Sequence, residues 1–525
     1  MAQQCTSRPG DRLRRSSSWL RLVRSSWLAF LVLAALAACA PTPRDAFEAT
    51  TRHLDAIRDD PALLTAFLRA FPKGGNLHNH LSGTVYAESY ILWAIADGLC
   101  IDRRKLALVP PPCQGDLIPA AAARHDPALD AALIGSLSMK GFHGGIQARH
   151  DHFFAAFDKF APAERGREGD MLAEALTQAA RDHVLYLELM LSPGMPAARR
   201  LGKTIGWHRN FGRMRRALRR AGIDRIVSPV RQSVDRYEAR ARTLLHCAEP
   251  ARASPGCAVT VRYLAQIIRT YPPAEVFAED VLAFRLVRSD PRFVGLNIVG
   301  AEDNPISLRN YTIDMKMLGY LHRLYPKVPM SLHAGELVPG LRGVRPADLR
   351  FHVRQAVEIA HAQRIGHGVD IFHEDHWRQL MAEMAKKHIL VEINLTSNAD
   401  ILGVTGDRHP FMTYWRAGVP VALSTDDEGV ERIDLTHEYV LATREYHLDF
   451  PQLVTLSRNS IAYGFVGGAS LWRTPGHFTP VAACAGTTFG TAHPGAACAA
   501  FLARSAKARL EWRLEADLWR FEARW

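Results

Sequence analysis

Eight short β-rich runs recur along this chain, each followed by a stretch long enough for a helix, and this alternation constrains the fold more than any other feature. The runs fall at 75–80, 184–190, 258–264, 293–299, 328–333, 364–367, 389–394 and 419–424. Amphipathic segments lie between them, among them 171–182, 231–247, 274–288, 349–361 and 376–387. Strands that alternate with helices pair in parallel, because each helix must return the chain across the sheet before the next strand begins. Eight such units predict an α/β chain folded as a (β/α)8 TIM barrel. The competing arrangement, a doubly wound open sheet, would place a glycine-rich phosphate loop after an early strand, and none is there. We expect the barrel over 71–466, preceded by a tether and first helix at 39–70 and followed by a C-terminal loop and helix at 467–525. Two stretches exceed a plain barrel and read as insertions, 98–147 and 228–256. In the tail, 501–525 has helical spacing with Leu510, Leu514, Leu518 and Phe521 on one face, the pattern of a helix packed on the outside of the barrel.

The first 38 residues read as an address. An arginine-rich start leads into the apolar run 27–38, which is shorter than the roughly 20 residues a membrane span requires and suits a secretory signal. Leu36-Ala-Ala-Cys39 resembles the bacterial lipobox, so 1–38 is expected to be a lipoprotein signal peptide and Cys39 the lipidated residue. Position 40 is Ala rather than Asp, which in a Gram-negative cell points to the outer membrane and periplasm. The membrane would then be met through a lipid anchor only. Six further cysteines form three close pairs, and their spacing favours disulfides Cys100–Cys113, Cys247–Cys257 and Cys484–Cys498, which an exported chain can keep.

Charge excludes one class of partner. The formal net charge is +12, but 1–38 hold six Arg against one Asp, leaving only +7 on the rest. No dense basic run stands beyond 213–220, so nucleic acid is not expected as a partner. Oligomeric state is not legible.

Five motifs lie at the C-terminal ends of expected strands, where barrel active sites are built. They are His78-Asn-His80, His333-Ala-Gly-Glu336, Arg364-Ile-Gly-His-Gly368, Glu392-Ile-Asn-Leu-Thr-Ser-Asn398 and Ser424-Thr-Asp-Asp427. Alternate strand residues share a face, so His78 and His80 both point toward the barrel axis. Together with His333 and an aspartate of the last motif they compose a Zn2+ site with an open position for water. Zinc would lower the pKa of that water to about 7. Glu336 is then placed to protonate the group attacked, His367 to hold or deprotonate the water, and Asp427 to hydrogen-bond substrate. Strand 4 ends in Gly300-Ala-Glu302 with no lysine to bridge a metal pair, so one ion per chain is expected. Taken singly each motif is weak, because a His-x-His pair or an Asp-Asp turn arises by chance in a chain with 23 histidines. Their joint order at strand ends is what carries the reading.

The ordered set resembles the adenosine/AMP deaminase family of the metal-dependent amidohydrolases. The resemblance runs from about 71 to 465 through Pro72-Lys73, Leu77-His-Asn-His-Leu-Ser-Gly83, Leu332-His-Ala-Gly-Glu336, Arg364–Gly368 and Ser424–Asp427, supported by Tyr186-Leu-Glu188, Ser192-Pro193 and Ser397-Asn398. It implies Zn2+ held by His78, His80, His333 and Asp426. It further implies Glu336 as proton donor to purine N1, His367 as the residue that orients and activates water, Asp427 bonded to N7 and the Gly300 amide to N3. Adenosine and 2′-deoxyadenosine would be hydrolysed to inosine and 2′-deoxyinosine plus ammonia, outside the cytoplasm, for purine salvage. Two departures bear on substrate. Where the family has an aspartate that binds the ribose 5′-hydroxyl this chain has Ser82, which opens the way to 5′-modified adenosines. Glu428 stands where a proline commonly follows the aspartate pair. Gly366 favours a nucleoside over free adenine, since adenine deaminases tend to have Asp there. The alternatives are another C–N hydrolase and a nucleoside-binding lipoprotein without chemistry.

Overall fold

The computed structural model describes residues 43–489 and 491–525; the signal-like segment, Cys5 and Cys39 lie outside them. Eight parallel strands form the barrel: β1 (Gly74–His80), β2 (Val184–Leu191), β3 (Thr260–Ile268), β4 (Phe293–Val299), β5 (Ser331–Ala334), β6 (Arg364–His367), β7 (Leu390–Ile393) and β8 (Val421–Leu423). β1, β2, β4 and β5 to β8 are buried at every position, as strands covered by side chains inside and helices outside must be. Two four-stranded sheets, β1-β2-β3-β4 and β5-β6-β7-β8, carry continuous ladders. They close on each other through two short seams. Leu296 pairs with Met330 on one side, and Asn79 pairs with Asp426 on the other. In the second seam the His80 amide donates to the Asp426 carbonyl at 3.2 Å and the Asp426 amide to the His78 carbonyl at 3.0 Å. The barrel therefore closes through the backbone of three expected metal ligands.

Phe465 lies against Gly295 and Leu264, and the Arg364 guanidinium stacks 3.8 Å from its ring centroid. The segment 98–147 builds a three-stranded antiparallel sheet (Cys100–Asp102, Ala107–Val109, Leu117–Pro119) and a helix, Pro127–Ser136. Most of 228–256 is a long helix, Val227–Leu244, packed beside Glu168–Arg181 in the outer ring. All three cysteine pairs are bonded as Cys100–Cys113, Cys247–Cys257 and Cys484–Cys498. Among the described residues no helix is long and apolar enough to cross a membrane.

Two expected helices differ in form. The segment 349–361 is broken into a 3₁₀ turn, a single α-turn at His352–Gln355 and a π-turn at Ala356–Ala360. His352 sits at the break, its ring stacked on Tyr311 at 3.7 Å and bonded to Glu302. The C-terminal segment is two helices, Ala496–Arg504 and Ala506–Glu522, divided at Ser505, whose hydroxyl accepts the Ala508 amide as an N-cap. Leu510, Leu514, Leu518 and Phe521 are all buried. Phe521 meets Phe67, Phe71 and Phe450 on the outside of the barrel, as expected for an external packing helix.

Candidate active site

At the C-terminal end of the strands, four donor atoms converge. His78 Nε2 stands 3.1 Å from His333 Nε2, and His80 Nε2 stands 3.3 Å from it. Asp426 Oδ1 is 3.2 Å from both His78 Nε2 and His80 Nε2. Donors about 2.0 Å from a central zinc would form a tetrahedron with edges of about 3.3 Å. Four of its six edges are seen, at 3.1–3.3 Å; by proximity alone His78, His333 and Asp426 also gather with His367, and His80 gathers with Asp426 and Asp427. No hydrogen-bond partner is found for Asp426 Oδ1, although it is buried. A buried carboxylate oxygen without a hydrogen bond, set 3.2 Å from two imidazole nitrogens, fits a place made for a cation.

Each imidazole is turned by a partner on its far nitrogen. His78 Nδ1 bonds Glu392 Oε2 at 2.7 Å, His80 Nδ1 bonds Gln266 Oε1 at 2.9 Å, and His333 Nδ1 bonds Asn297 Oδ1 at 2.9 Å. An oxygen acceptor at Nδ1 keeps the hydrogen there and leaves the Nε2 lone pair free to ligate. Ser397 Oγ donates to Asp426 Oδ2 at 2.8 Å and so aims Oδ1 at the histidines. Gly366 leaves room for the His78 ring, since a Cβ there would come within 2.6 Å of it.

His367 obeys the opposite logic. The Phe411 amide donates to His409 Nδ1 at 3.2 Å, so the His409 hydrogen sits on Nε2 and is given to Asn398 Oδ1 at 2.9 Å. The Asn398 amide group then donates to His367 Nδ1 at 2.9 Å, which places the His367 hydrogen on Nε2. A nitrogen that carries hydrogen does not bind metal. His367 Nε2 lies 3.7 Å from Asp426 Oδ2 and 3.8 Å from Glu336 Oε1, longer than the tetrahedral edges. Burial, only partly opposed by Asp426, lowers its pKa to about 3 and keeps the ring neutral. His367 and Asp426 both have left-handed backbones, with φ of 67° and 57°, a conformation that costs non-glycine residues about 1–3 kcal/mol.

Glu336 is held by its own backbone. Glu302 accepts the amides of Gly335 at 3.1 Å and Glu336 at 2.9 Å. Glu302 is buried, which alone would raise its pKa, but Arg269, His352 and these amides lower it to about 2. The Glu336 carboxyl is pushed the other way: burial, then the charges of Asp426 and Glu302, raise its pKa well above the usual range. The two carboxylates are thereby driven apart, Glu302 toward the ionised form and Glu336 toward the acid form. Burial likewise raises Asp427.

A cavity of about 160 Å³ joins these groups, lined by His80, His333, Asp426, Asp427, Glu336, Ser82 and Gly300, with Phe153, Phe154 and Phe157 forming an apolar wall. The structure thus gathers every metal, catalytic and substrate-binding candidate named from the sequence at one place, with His78 and His367 behind the cavity wall. Glu428, whose part the sequence left open, is buried and takes the Asn79 amide at 3.5 Å between β1 and β8.

Several contributors had weak sequence signals or none. Asn297, Gln266 and His409 stand in ordinary contexts, and nothing in their spacing marks them as partners of histidines. Ser397-Asn398 carried a motif but no role. The buried chain from His78 through Glu392 and Arg364 to Glu188 joins residues more than a hundred positions apart; Arg364 Nε lies 2.6 Å from Glu392 and Nη2 lies 2.6 Å from Glu188.

Residues 151–469 match the family model described as adenosine deaminase. The chain belongs to the adenosine deaminase family. It is similar to the adenosine deaminase of Shewanella loihica, 38% identical over 113 residues, covering 21% of this chain and 33% of that protein. The match therefore spans about a third of the length of that curated relative. Similarity to the adenosine deaminase of Clostridium perfringens is longer, 22% identical over 293 residues, with 56% of this chain and 71% of the other covered. Among solved structures, an Arabidopsis protein, ADAL, determined as a complex with GMP, shares the fold with a TM-score of 0.50 and 19% identity, over 77% of this chain and 94% of its own.

Proposed function

We propose that this family member is a zinc-dependent hydrolase that deaminates adenosine-type nucleosides, taking adenosine and 2′-deoxyadenosine to inosine and 2′-deoxyinosine with release of ammonia. The observation that carries the reading is the convergence of His78, His80, His333 and Asp426 with the buried Glu336 carboxyl on one cavity. His78, His80, His333 and Asp426 would hold the ion, which when bound lets water ionise near pH 7. Purine N1, N3 and N7 are all acceptors, so the site must supply donors. Glu336 in its acid form gives a proton to N1, which makes C6 electrophilic. Asp427, raised by burial, donates to N7, and the Gly300 amide faces N3. His367 directs its Nε2 hydrogen at the attacking water and fixes its approach. Water adds at C6 and one of its protons passes to the amino nitrogen; the C6–N bond breaks and ammonia leaves, and the remaining hydroxyl proton returns to Glu336 as the oxygen of water becomes the C6 carbonyl.

The decisive experiment measures ammonia release by the signal-free chain from adenosine, 2′-deoxyadenosine, 5′-methylthioadenosine, AMP and adenine, with and without a zinc chelator. Chelator-sensitive release from a nucleoside is expected. Zinc-loaded protein that releases none from any purine would overturn the reading.

The His409–Asn398 relay gives a second expectation. Asn398→Asp replaces a donor at His367 Nδ1 by an acceptor and moves the ring hydrogen to that nitrogen. The expected loss in kcat is about 10- to 100-fold, the range for lost partners of site histidines. Nitrogen-15 shifts of the His367 ring should report the changed tautomer while zinc content holds. Unchanged shifts would remove the relay.

We propose further that the chain is exported and anchored through a lipid on Cys39. The lipobox-like sequence and three paired cysteines support this reading. Mass spectrometry of the mature N-terminus tests it; an unmodified Cys39 would sink it.

A further inference from the structure

The cavity at the donor cluster is too small for a nucleoside. Ligand pockets span roughly 300–1,000 Å³, and this one encloses about 160 Å³. Ser82 and Gln266, which line its edge, also line a neighbouring cavity of about 280 Å³. The two adjoin at Ser82 and Gln266. Together they reach the size a nucleoside with a substituent needs.

The second chamber has its own chemistry. Met171, Met190, Leu191 and Pro193 give it apolar walls, and Glu164 and Glu168 face into it with Tyr237. No lysine, arginine or histidine is among its lining residues. Glu168 accepts the Tyr237 hydroxyl at 3.2 Å, and the Tyr90 hydroxyl lies 3.5 Å from Glu164. Neither carboxylate has a cationic partner among the described ion pairs. Burial, and then the neighbouring Glu168, raise Glu164 to about 7, with Tyr90 opposing.

We propose that this chamber is a subsite for the 5′ substituent of the nucleoside, and that it selects an aliphatic substituent ending in an ammonium group while rejecting a 5′-phosphate. The inference rests on the deaminase reading, which puts the purine at Glu336 and the ribose toward Ser82. Methionine and leucine walls take the alkyl part, and two carboxylates take the charge. A phosphate entering the same space meets like charge without a counter-ion, which disfavours it.

The test compares adenosine, AMP, 5′-(3-aminopropylthio)-5′-deoxyadenosine and its neutral isostere, the 5′-butylthio compound, with the zinc-loaded chain. The aminopropyl compound should exceed the butyl one in kcat/KM by about tenfold, and AMP should fall below adenosine by about a hundredfold. Glu168→Gln should bring the ratio of aminopropyl to butyl compound close to one. Ser82→Leu, which adds bulk where the two cavities adjoin without touching the carboxylates, should depress both long substrates relative to adenosine. Calorimetric binding of the same two compounds to metal-free protein supplies a readout that needs no turnover, and serves also if Glu168→Gln fails to fold. Equal handling of the isosteres by the unaltered chain, or AMP turned over as well as adenosine, would overturn the subsite. Preferential binding of the aminopropyl compound without deamination of any nucleoside would keep the subsite and sink the deaminase reading instead.

Discussion

Glu336→Gln should lower kcat for adenosine by about 10²- to 10⁴-fold, the span attributable to a lost general acid. The amide preserves the size of the side chain and can still offer a hydrogen to N1, but it cannot part with one. Binding should therefore survive where protonation does not, and KM should move far less than kcat. The backbone of residue 336 is held by Glu302 whatever side chain it bears, so zinc content and melting temperature should match those of the unaltered protein. A variant that keeps a tenth or more of the activity would remove Glu336 from the chemistry. A variant that loses zinc would instead show that the residue maintains the donor cluster.

Removal of the metal should have the second large effect, and on structure as well as rate. The Asn79–Asp426 seam between β1 and β8 is a short bridge rather than a ladder, and His78, His80 and Asp426 stand on its two sides. An ion held from both sides staples the seam. Ligand linkage is worth about 4 kcal/mol when free metal exceeds its dissociation constant a thousandfold. Chelation should lower the melting temperature by several degrees, abolish deamination and speed amide exchange at residues 78–80 and 424–427. Zinc should restore all three. In His333→Ala the chelator should change little, because that cluster has already lost a corner. Loss of activity with an unmoved melting temperature and unchanged exchange would confine the ion to the chemistry and leave the seam to the protein alone.

The legible part of this protein lay in patterns a few residues long. Phe293–Val299 and Arg364–His367 are strands at the limits expected, the first from its apolar run and the second from its place in the motif order. His78, His80, His333, Glu336 and Asp426 were legible because a site at strand ends puts its residues at the close of short β-rich runs. The broken helix at 349–361 was not, since His352 within it is bonded to Glu302, fifty residues earlier. His409 was invisible for a related reason. Its importance comes from what Asn398 gives to His367, and a hydrogen-bond direction has no period in a sequence.

Short-range spacing and residue chemistry carry the barrel, the favoured cysteine partners and the identity of the groups at the strand ends. Which nitrogen of each histidine is free, the opposed shifts of Glu336 and Glu302, and the two carboxylates that line the space beside Ser82 emerge only in the folded chain. Those depend on burial and on distances between residues far apart in the chain, and such distances exist only once the barrel has closed.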